Sequence, residues 1–233
     1  MLSSWWRSQT EQRLKKRVLA RWRVHEEVAA RVDHVLKLHV DFPAGAGDPR
    51  GLPGNPEFAA SGWTDHMLLR YCLAMDHAVG KSVLDTCCGL GWGSYLVGAV
   101  ARSVVGIDLD EGAVAFCRET WREDNLEFLP GSVLELPFPA NEFDVVLCME
   151  ALEHFTVEDG RRYLTELHRV CRPGGILLGS SAFPENKTDA DALCALNEHH
   201  LHIYTRDEMH TLLSAIFSPP LRLTRHYFAA RKP

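Results

Sequence analysis

The residues best suited to chemistry lie where a short apolar run passes into a cluster of glycines. The run ends at Asp85, and Gly89, Gly91 and Gly93 follow it closely. Glycines at this spacing let the backbone turn tightly and approach a ligand. A dinucleotide-binding turn would need its third glycine at Ser94, and the Asp85 carboxylate would repel a phosphate. The stretch therefore favours a ligand that offers a cation and hydroxyl groups.

A second carboxylate ends the next apolar run of the chain. Asp108 follows the largely apolar residues 104–107 and stands 23 residues after Asp85. A spacing of about 20 residues places an acidic side chain on ribose hydroxyl groups at the end of the neighbouring strand. The two carboxylates together predict a site for a nucleoside-containing ligand.

These features resemble the first motif of class I S-adenosylmethionine-dependent methyltransferases, which is a strand followed by Asp-x-Gly-x-Gly-x-Gly. Cys87 stands where this family usually has a small residue, most often glycine. Residues 132–138 resemble the family's adenine-binding segment, with Ser132 in place of its aspartate. Residues 150–155 resemble the Glu-His pair after strand four of many small-molecule methyltransferases, and 172–175 match its Arg-Pro-Gly-Gly signature.

The resemblance covers about residues 80–231 and implies S-adenosylmethionine as the cofactor. It implies that Asp108 holds the ribose diol, that Leu109 lies against the adenine, and that the Val133 backbone recognises the adenine. The full set of predicted cofactor contacts is Asp85, Cys87, Gly89, Gly91, Asp108, Leu109, Ser132, Val133 and Glu150.

Four histidines are candidates for handling the methyl acceptor: His154, His199, His200 and His202. The end of strand four places Glu150, Glu153 and His154 near the transferred methyl group. A histidine there can accept a proton from a hydroxyl group, because its ordinary pKa of about 6.5 lies near working pH. The alternative for His154 is a role in ordering the following turn, and for the other three a structural role.

The three histidines within 199–202 also raise the question of a metal site. No second cluster of cysteines or carboxylates lies at ligand spacing beside them in the sequence, and class I methyl transfer does not generally need a metal. We therefore predict no metal site.

The elements that must position these residues alternate between β-type runs and helical patterns. Such alternation is typical of β-α-β units on a parallel sheet. With the resemblance, it predicts an α/β fold: a Rossmann-like three-layer sandwich with a mostly parallel seven-stranded sheet whose last strand is antiparallel. Strands are predicted at 81–85, 103–108, 125–131, 141–150 and 176–180, with a short antiparallel pair in 221–231. Helices are predicted at 94–101, 111–123, 157–171 and 205–217, and residues 183–191 are predicted to be a loop.

The N-terminal segment is predicted to be a basic amphipathic helix. Apolar residues recur at three- and four-residue steps from Leu14 to Leu36, and residues 1–40 carry nine Lys or Arg against four Asp or Glu. This helix could pack on the domain, pair two copies as a homodimer, cover the active site or lie on a membrane surface. The prolines and glycines of 41–62 predict a loop, which the resemblance to the family implies could cover the cofactor, and 63–233 form the predicted methyltransferase domain.

Composition narrows the class of protein. The chain is 46% hydrophobic and 24% charged, as is usual for a soluble globular protein. Its net charge is −6, and the residues after 40 carry 16 Lys or Arg against 27 Asp or Glu, so this acidic body argues against a broad nucleic-acid surface. No apolar run reaches the roughly 18 residues of a transmembrane helix, and no signal peptide is evident. Seven cysteines without a Cys-x-x-Cys pair predict reduced thiols, so we expect a cytoplasmic protein.

The sequence as a whole predicts transfer of a methyl group to a small-molecule acceptor, with an oxygen atom as the leading candidate. No Asn-Pro-Pro-Tyr or Asp-Pro-Pro-Tyr run follows strand four, so an exocyclic amine of a nucleic acid is a weaker candidate. Two alternatives stay open. One is a cofactor-binding protein without transferase activity, and the other is a protein that docks on RNA or membrane through its basic helix.

Overall fold

The alternating pattern of the sequence builds one sheet with helices on both faces. The computed structural model describes residues 22, 25–40, 51–56 and 63–233. The helices are α1 (Glu26–Lys37), α2 (Thr64–Ala78), α3 (Trp92–Gly98), α4 (Glu111–Thr120), α5 (Val157–Val170), α6 (Lys187–Cys194) and α7 (Arg206–Ile216). The strands are β1 (Ser82–Thr86), β2 (Ser103–Asp108), β3 (Leu126–Pro130), β4 (Phe143–Met149), β5 (Cys171–Ser180), β6 (Ser218–Leu223) and β7 (Tyr227–Arg231).

The sheet has the predicted number and directions of strands within the described residues. Its order is β3-β2-β1-β4-β5-β7-β6. Strands β1 to β5 pair in parallel, and β7 is antiparallel to both β5 and β6. After β1 the chain adds β2 and β3 on one side of that strand, and it then crosses over to add β4 and β5 on the other side. The carboxyl ends of β1 and β4 therefore flank a topological switch point, where ligands bind in sheets of this kind.

Both faces of the central strands are covered, which explains their continuous apolar sequences. Every residue of β1 is buried. Val83 belongs to an apolar cluster with Leu68 of α2 and Leu96 of α3, whereas Leu84 belongs to a cluster with Leu164 of α5. Adjacent residues of one strand thus face opposite layers, and the three-layer sandwich is confirmed.

The N-terminal helix packs on the domain, but it is not the single long helix that the sequence predicts. His25 is extended, with φ −91° and ψ 109°, and α1 begins only at Glu26. After this bend, Val28 and Val35 join the same apolar cluster as α3. The guanidinium of Arg31 donates to the Tyr95 carbonyl at 2.7 Å. The part of the prediction before Trp22 lies outside the described residues.

Part of the predicted Pro/Gly-rich loop is fixed against the domain. Within 51–56, Leu52 is fully buried, and the Gly51 carbonyl accepts a hydrogen bond of 2.7 Å from Trp92 Nε1 at the start of α3. A Cβ atom at Gly54 would lie 2.3 Å from the Leu38 carbonyl oxygen, so only glycine fits this contact with the end of α1. The rest of 41–62 lies outside the described residues.

Two predicted connections form regular structure instead. The predicted loop 183–191 contains the start of α6, because the Asn186 side chain accepts a hydrogen bond of 2.9 Å from the Asp189 amide and caps a helix. The predicted turn at 172–175 is an irregular part of β5, in which Gly174 has φ +74° and the pairing register with β4 shifts. The predicted capping box of α7 is confirmed.

Among the described residues, none of the helices combines the length and the apolar character that crossing a bilayer requires.

The contacts of Arg31 predict that this side chain anchors α1. Arg31 is 5% exposed and pairs with Glu27 at 2.9 Å and Glu123 at 3.2 Å. We expect Arg31→Ala to lower the free energy of unfolding by about 1–3 kcal/mol, because it removes a buried hydrogen bond and packing. Chemical denaturation measures this change. The matched control Lys37→Ala, on the exposed side of the same helix, should change it by less than about 0.5 kcal/mol. Equal effects of the two variants would contradict the anchoring role.

Candidate active site

The glycine-rich loop turns directly beyond the carboxyl end of β1. Cys87, Gly89 and Gly91 all have left-handed backbones, with φ of 52°, 54° and 71°. A Cβ atom at Gly91 would lie 2.7 Å from both Cys117 Sγ and Phe128 Cε1. Gly91 is therefore required by close packing as well as by its conformation. This turn places the N-terminus of α3 next to the carboxyl end of β1.

The third glycine of the motif has a packing role. A Cβ atom at Gly93 would lie 1.9 Å from Cζ of Tyr71 on α2. The Tyr71 ring also packs edge-on against Trp92, with centroids 4.8 Å apart. Gly93 thus lets α2 lie against the loop and brings Tyr71 close to Asp85.

Asp85 is a buried carboxylate with spare hydrogen-bonding capacity. Ser94 Oγ donates to Asp85 Oδ2 at 2.7 Å. Burial raises the pKa of Asp85 to about 7; hydrogen bonds from Ser94 and Tyr71 act against the rise, and the charge of Asp108 adds to it. The Oδ1 atom is buried and accepts no well-formed hydrogen bond from the described residues, although the Tyr71 hydroxyl faces the carboxyl group. A buried acceptor of this kind suits a ligand with a cationic donor.

Asp108 joins the ends of β1 and β2. Its Oδ2 accepts a hydrogen bond of 2.8 Å from the Gly89 amide, and its Oδ1 accepts one of 3.0 Å from the Asp110 amide. Leu109 beside it is 76% exposed. The Gly131 amide donates to the Asp108 carbonyl at 2.9 Å, which brings the predicted adenine segment alongside.

That segment has one buried and one exposed candidate. Val133 is 6% exposed and packs in the core. Ser132 is exposed, and its hydroxyl oxygen accepts a hydrogen bond of 3.2 Å from the Leu134 amide. The structure therefore places the predicted cofactor residues of β1, β2 and the 131–133 turn along one edge of the sheet.

Glu150 begins the second half of the site, at the end of β4. It is left-handed, with φ 49°, and its amide donates to the Ser180 carbonyl at 2.9 Å. Its Oε1 lies 3.7 Å from Nε of Arg70 on α2. Burial alone would raise the pKa of Glu150. The charge of Arg70, the nearby Ser180 hydroxyl and the imidazoles of His66 and His226 outweigh this effect and lower the pKa. Glu150 is therefore ionised at neutral pH.

Glu153 lies three residues further along, in the 3₁₀ turn Leu152–His154. It is 4% exposed, and its Oε2 atom has no hydrogen-bond partner among the described residues. Burial raises the pKa of Glu153 to about 8, and the negative charge of Glu150 adds to the rise. Arg70 and the Ser181 hydroxyl lower it in part.

Two of the four candidate histidines meet beside Glu153. The rings of His154 and His200 lie edge to face, with centroids 5.2 Å apart. One ligand atom from each of Glu153, His154 and His200 lies within 4.8 Å of the others. His199 contributes its backbone instead, since its carbonyl oxygen lies 3.0 Å from His154 Nδ1 while its side chain is exposed.

His202 is separated from this group by its own contacts. Its Nε2 lies 3.9 Å from Oε2 of Glu208, the capping residue of α7, and its ring packs on Tyr204. Burial, with the Lys187 charge, lowers the pKa of His202. The structure thus separates His199 and His202 from the pair that the site brings together.

Arg70 and Tyr71 of α2 contribute to the site but were not among the predicted site residues. Arg70 and Tyr71 lie in a helix that reads as ordinary apolar packing. Arg70 is 8% exposed although it is charged, and it lies next to Glu150. A lone arginine inside the apolar run 67–75 was the available signal, because charged side chains are rarely buried unless paired.

Comparison with known proteins identifies the fold and its cofactor. Residues 84–179 match the family model of a methyltransferase domain. This segment is a methyltransferase domain of the class I S-adenosylmethionine-dependent type. S-adenosylmethionine is the cofactor of this domain, and the residues at the sheet edge fit it: an orphaned buried carboxylate oxygen, a second carboxylate and an exposed leucine.

Two curated relatives and one solved structure illustrate the similarity. The chain is 35% identical over 132 residues to a probable S-adenosylmethionine-dependent methyltransferase of Mycolicibacterium smegmatis, covering 57% of this chain and 49% of that protein. It is 36% identical over 126 residues to a fatty-acid O-methyltransferase of the same organism, covering 50% and 45%. The chain thus spans about half the length of these relatives. The PH0226 protein of Pyrococcus horikoshii shares the fold, with a TM-score of 0.61, 20% identity and coverage of 79% and 95%.

The left-handed backbone at Cys87 predicts that glycine is tolerated there. A non-glycine residue in this region is strained by roughly 1–2 kcal/mol, which offsets the loss of the Cys87 side chain. We expect Cys87→Gly to keep the affinity for S-adenosylmethionine or improve it slightly, as measured by calorimetry. Cys87→Val, which retains the strain and adds a branched side chain, should weaken binding. A large loss in Cys87→Gly would mean that the thiol itself contacts the cofactor.

The raised pKa of Asp85 predicts how stability depends on pH. The folded state binds more protons than the unfolded state between pH 4 and about 7, so the free energy of unfolding falls as pH rises through that window. We expect Asp85→Asn to remove this part of the pH dependence in denaturation curves. The matched variant Asp33→Asn, on the exposed face of α1, should leave the pH profile unchanged. An identical profile for wild type and Asp85→Asn would contradict the raised pKa.

Proposed function

We propose that this protein transfers a methyl group from S-adenosylmethionine to an oxygen atom of a small, largely apolar acceptor. The observation that carries the proposal is the common position of two groups at the switch point of the sheet. The Asp85–Asp108 edge lies beyond β1 and β2, and the group of Glu153, His154 and His200 lies beyond the adjacent strand β4. The side chains of the Asp85–Asp108 edge, which we call the first set, would bind the cofactor. The group of Glu153, His154 and His200, which we call the second set, would bind an acceptor.

The residues of the first set have distinct proposed roles toward the cofactor. Asp85 would accept a hydrogen bond from a cationic amino group, and Asp108 would bind ribose hydroxyl groups. Leu109, Ser132 and Val133 would surround the adenine, and the glycine loop would let the backbone approach the ligand. When bound, S-adenosylmethionine supplies a methyl group that its sulfonium already activates.

The residues of the second set would manage the acceptor. A hydroxyl acceptor must lose a proton as its oxygen forms the new bond, and positioning it in line contributes much of the rate. The carbonyl of His199 holds a proton on Nδ1 of His154, which leaves Nε2 of His154 as a proton acceptor. His200 faces the same space, so either imidazole can receive the proton.

The surroundings of the second set support an apolar acceptor. Leu196 and Leu201, on either side of His200 in the chain, are 62% and 58% exposed. Exposed large apolar side chains beside a candidate site favour an apolar ligand. One relative from Mycolicibacterium smegmatis is named a fatty-acid O-methyltransferase, and a fatty acid is an acceptor of this apolar class.

Other features of the chain bear on partners and location. The apolar face of α1 is buried on the domain, which favours a structural role for this helix over RNA or membrane docking, and a homodimer would have to use other surfaces. All seven cysteines are free. We propose a cytoplasmic protein whose acceptor is a small molecule and not a nucleic acid.

Release of S-adenosylhomocysteine tests the proposed activity. We expect turnover with apolar hydroxyl or carboxyl acceptors in a panel that also includes amines and an RNA oligonucleotide. His154→Ala should lower kcat by about 10²–10⁴-fold, the usual contribution of general base catalysis, with little change in cofactor affinity. Cofactor binding without turnover on any acceptor would instead support a cofactor-binding protein without transferase activity. Turnover on RNA alone would contradict the proposed acceptor class.

A further inference from the structure

Three side chains with metal-ligand chemistry converge next to the proposed acceptor position. Glu153 and His154 lie in the 3₁₀ turn after β4, whereas His200 follows α6. One ligand atom of each lies within 4.8 Å of the other two. The Leu201 amide donates to the Glu153 carbonyl at 2.8 Å and holds the two segments together. Backbone contacts of the fold therefore hold these three side chains near one another.

Glu153 provides an independent indication that a cation belongs here. The residue is 4% exposed, and its buried Oε2 atom has no hydrogen-bond partner among the described residues. A buried carboxylate oxygen without a donor is costly, and a bound ion is one of the few ways to satisfy it. The two neighbouring imidazoles are neutral ligands that could complete such a site.

His154 is oriented as metal-binding histidines are. Its Nδ1 lies 3.0 Å from the His199 carbonyl oxygen, which can only accept a hydrogen bond, so Nδ1 carries the proton. This leaves a lone pair on Nε2. A hydrogen bond from the second ring nitrogen to a backbone carbonyl is the common support for a metal-ligating histidine.

His200 is also held in place by a neighbouring side chain. Asn197 Nδ2 lies 3.3 Å from His200 Nε2, and Asn197 Oδ1 accepts a hydrogen bond from the His199 amide. A hydrogen bond of 3.3 Å is long, so a bound cation or a change of tautomer can replace it. The ring orientation is thus fixed without preventing coordination.

We propose that Glu153, His154 and His200 bind one divalent transition-metal ion, with zinc as the best match. Two histidines and one glutamate form a ligand set of catalytic zinc sites, which keep a further position open. Zinc lies about 2.0–2.2 Å from nitrogen and oxygen ligands, so binding would draw the three side chains closer together.

The open position gives the ion a function in acceptor recognition, and this part of the inference rests on the proposed function. An acceptor oxygen that occupies the open position would lose its proton more readily, because a bound divalent ion lowers the pKa of a coordinated hydroxyl group. His154 and His200 would then hold the ion and the proton of the acceptor would pass to solvent water, whereas in the chain without the ion an imidazole would receive that proton, as proposed above.

Metal binding itself is the test, and it needs no knowledge of the acceptor. The full chain is stripped with a chelator, titrated with zinc by calorimetry and then loaded with cobalt for visible absorption spectroscopy. We expect one tightly bound zinc per chain and a cobalt spectrum typical of four-coordinate sites. Glu153→Gln and His200→Gln should each weaken zinc binding by more than the 10–100-fold that loss of an outer partner costs.

The controls separate this site from adventitious binding and from misfolding. His199→Gln leaves the carbonyl contact to His154 in place and should bind zinc as wild type does. Circular dichroism checks that each variant folds, and Glu153→Gln should be at least as stable as the stripped wild type, because it removes an unsatisfied buried carboxylate. Tight zinc binding that survives in both Glu153→Gln and His200→Gln would overturn the proposal, as would no zinc binding by the folded wild type.

The same samples are titrated with S-adenosylhomocysteine. A chain that binds S-adenosylhomocysteine but not zinc overturns only the metal site. A chain that binds zinc but not S-adenosylhomocysteine would support the metal site and contradict the proposed function.

Discussion

The hydrogen bond between the Gly89 amide and the Asp108 carboxylate is the contact on which the cofactor edge depends. It ties the loop after β1 to the end of β2 at 2.8 Å. The end of α4 and the residue after it also hold this loop, because Cys117 Sγ donates to the Gly89 carbonyl at 3.3 Å and Trp121 Nε1 donates to the Leu90 carbonyl at 2.7 Å. These bonds support the left-handed backbone at Gly89 and Gly91, so contacts within the chain define the ligand-facing edge.

The site also contains several buried carboxyl groups, and burial disfavours their charged forms. Asp85, Glu150 and Glu153 lie near one edge, and Arg70 is the cation that acts on both glutamates. Glu150 receives most of this support and is ionised, whereas burial leaves Asp85 and Glu153 with raised pKa values. Two buried carboxyl groups without full partners favour positively charged ligands. A cofactor cation at Asp85 and a metal ion at Glu153 are the two proposed ways of satisfying them.

Sequence patterns predicted the features that are determined by residues close together in the chain. The alternating apolar runs predicted the strands, and the glycine spacing with Asp85 and Asp108 predicted the loop and its family. The capping box at Thr205 was also predictable, because its two partners are three residues apart.

Contacts between distant segments were not predictable from one sequence. His154 and His199 are 45 residues apart, and only the path of the chain through α6 brings 199–200 back to the end of β4. The absence of a second ligand cluster beside the histidines in sequence led to the prediction of no metal site, whereas Glu153 and His154 supply that cluster in space. The bend at His25 was hidden for a similar reason, since the apolar period continues through it and the packing of α1 in the cluster that contains α3 is not visible in the sequence.

We propose that the edge formed by Asp85, the glycine loop and Asp108 holds the cofactor. A crystal structure with S-adenosylhomocysteine tests it most directly. We expect ribose hydroxyl groups on the Asp108 carboxylate, the adenine beside Leu109 and the amino group on the side of Asp85. Ordered S-adenosylhomocysteine elsewhere on the molecule, or no binding at millimolar concentration, would contradict it.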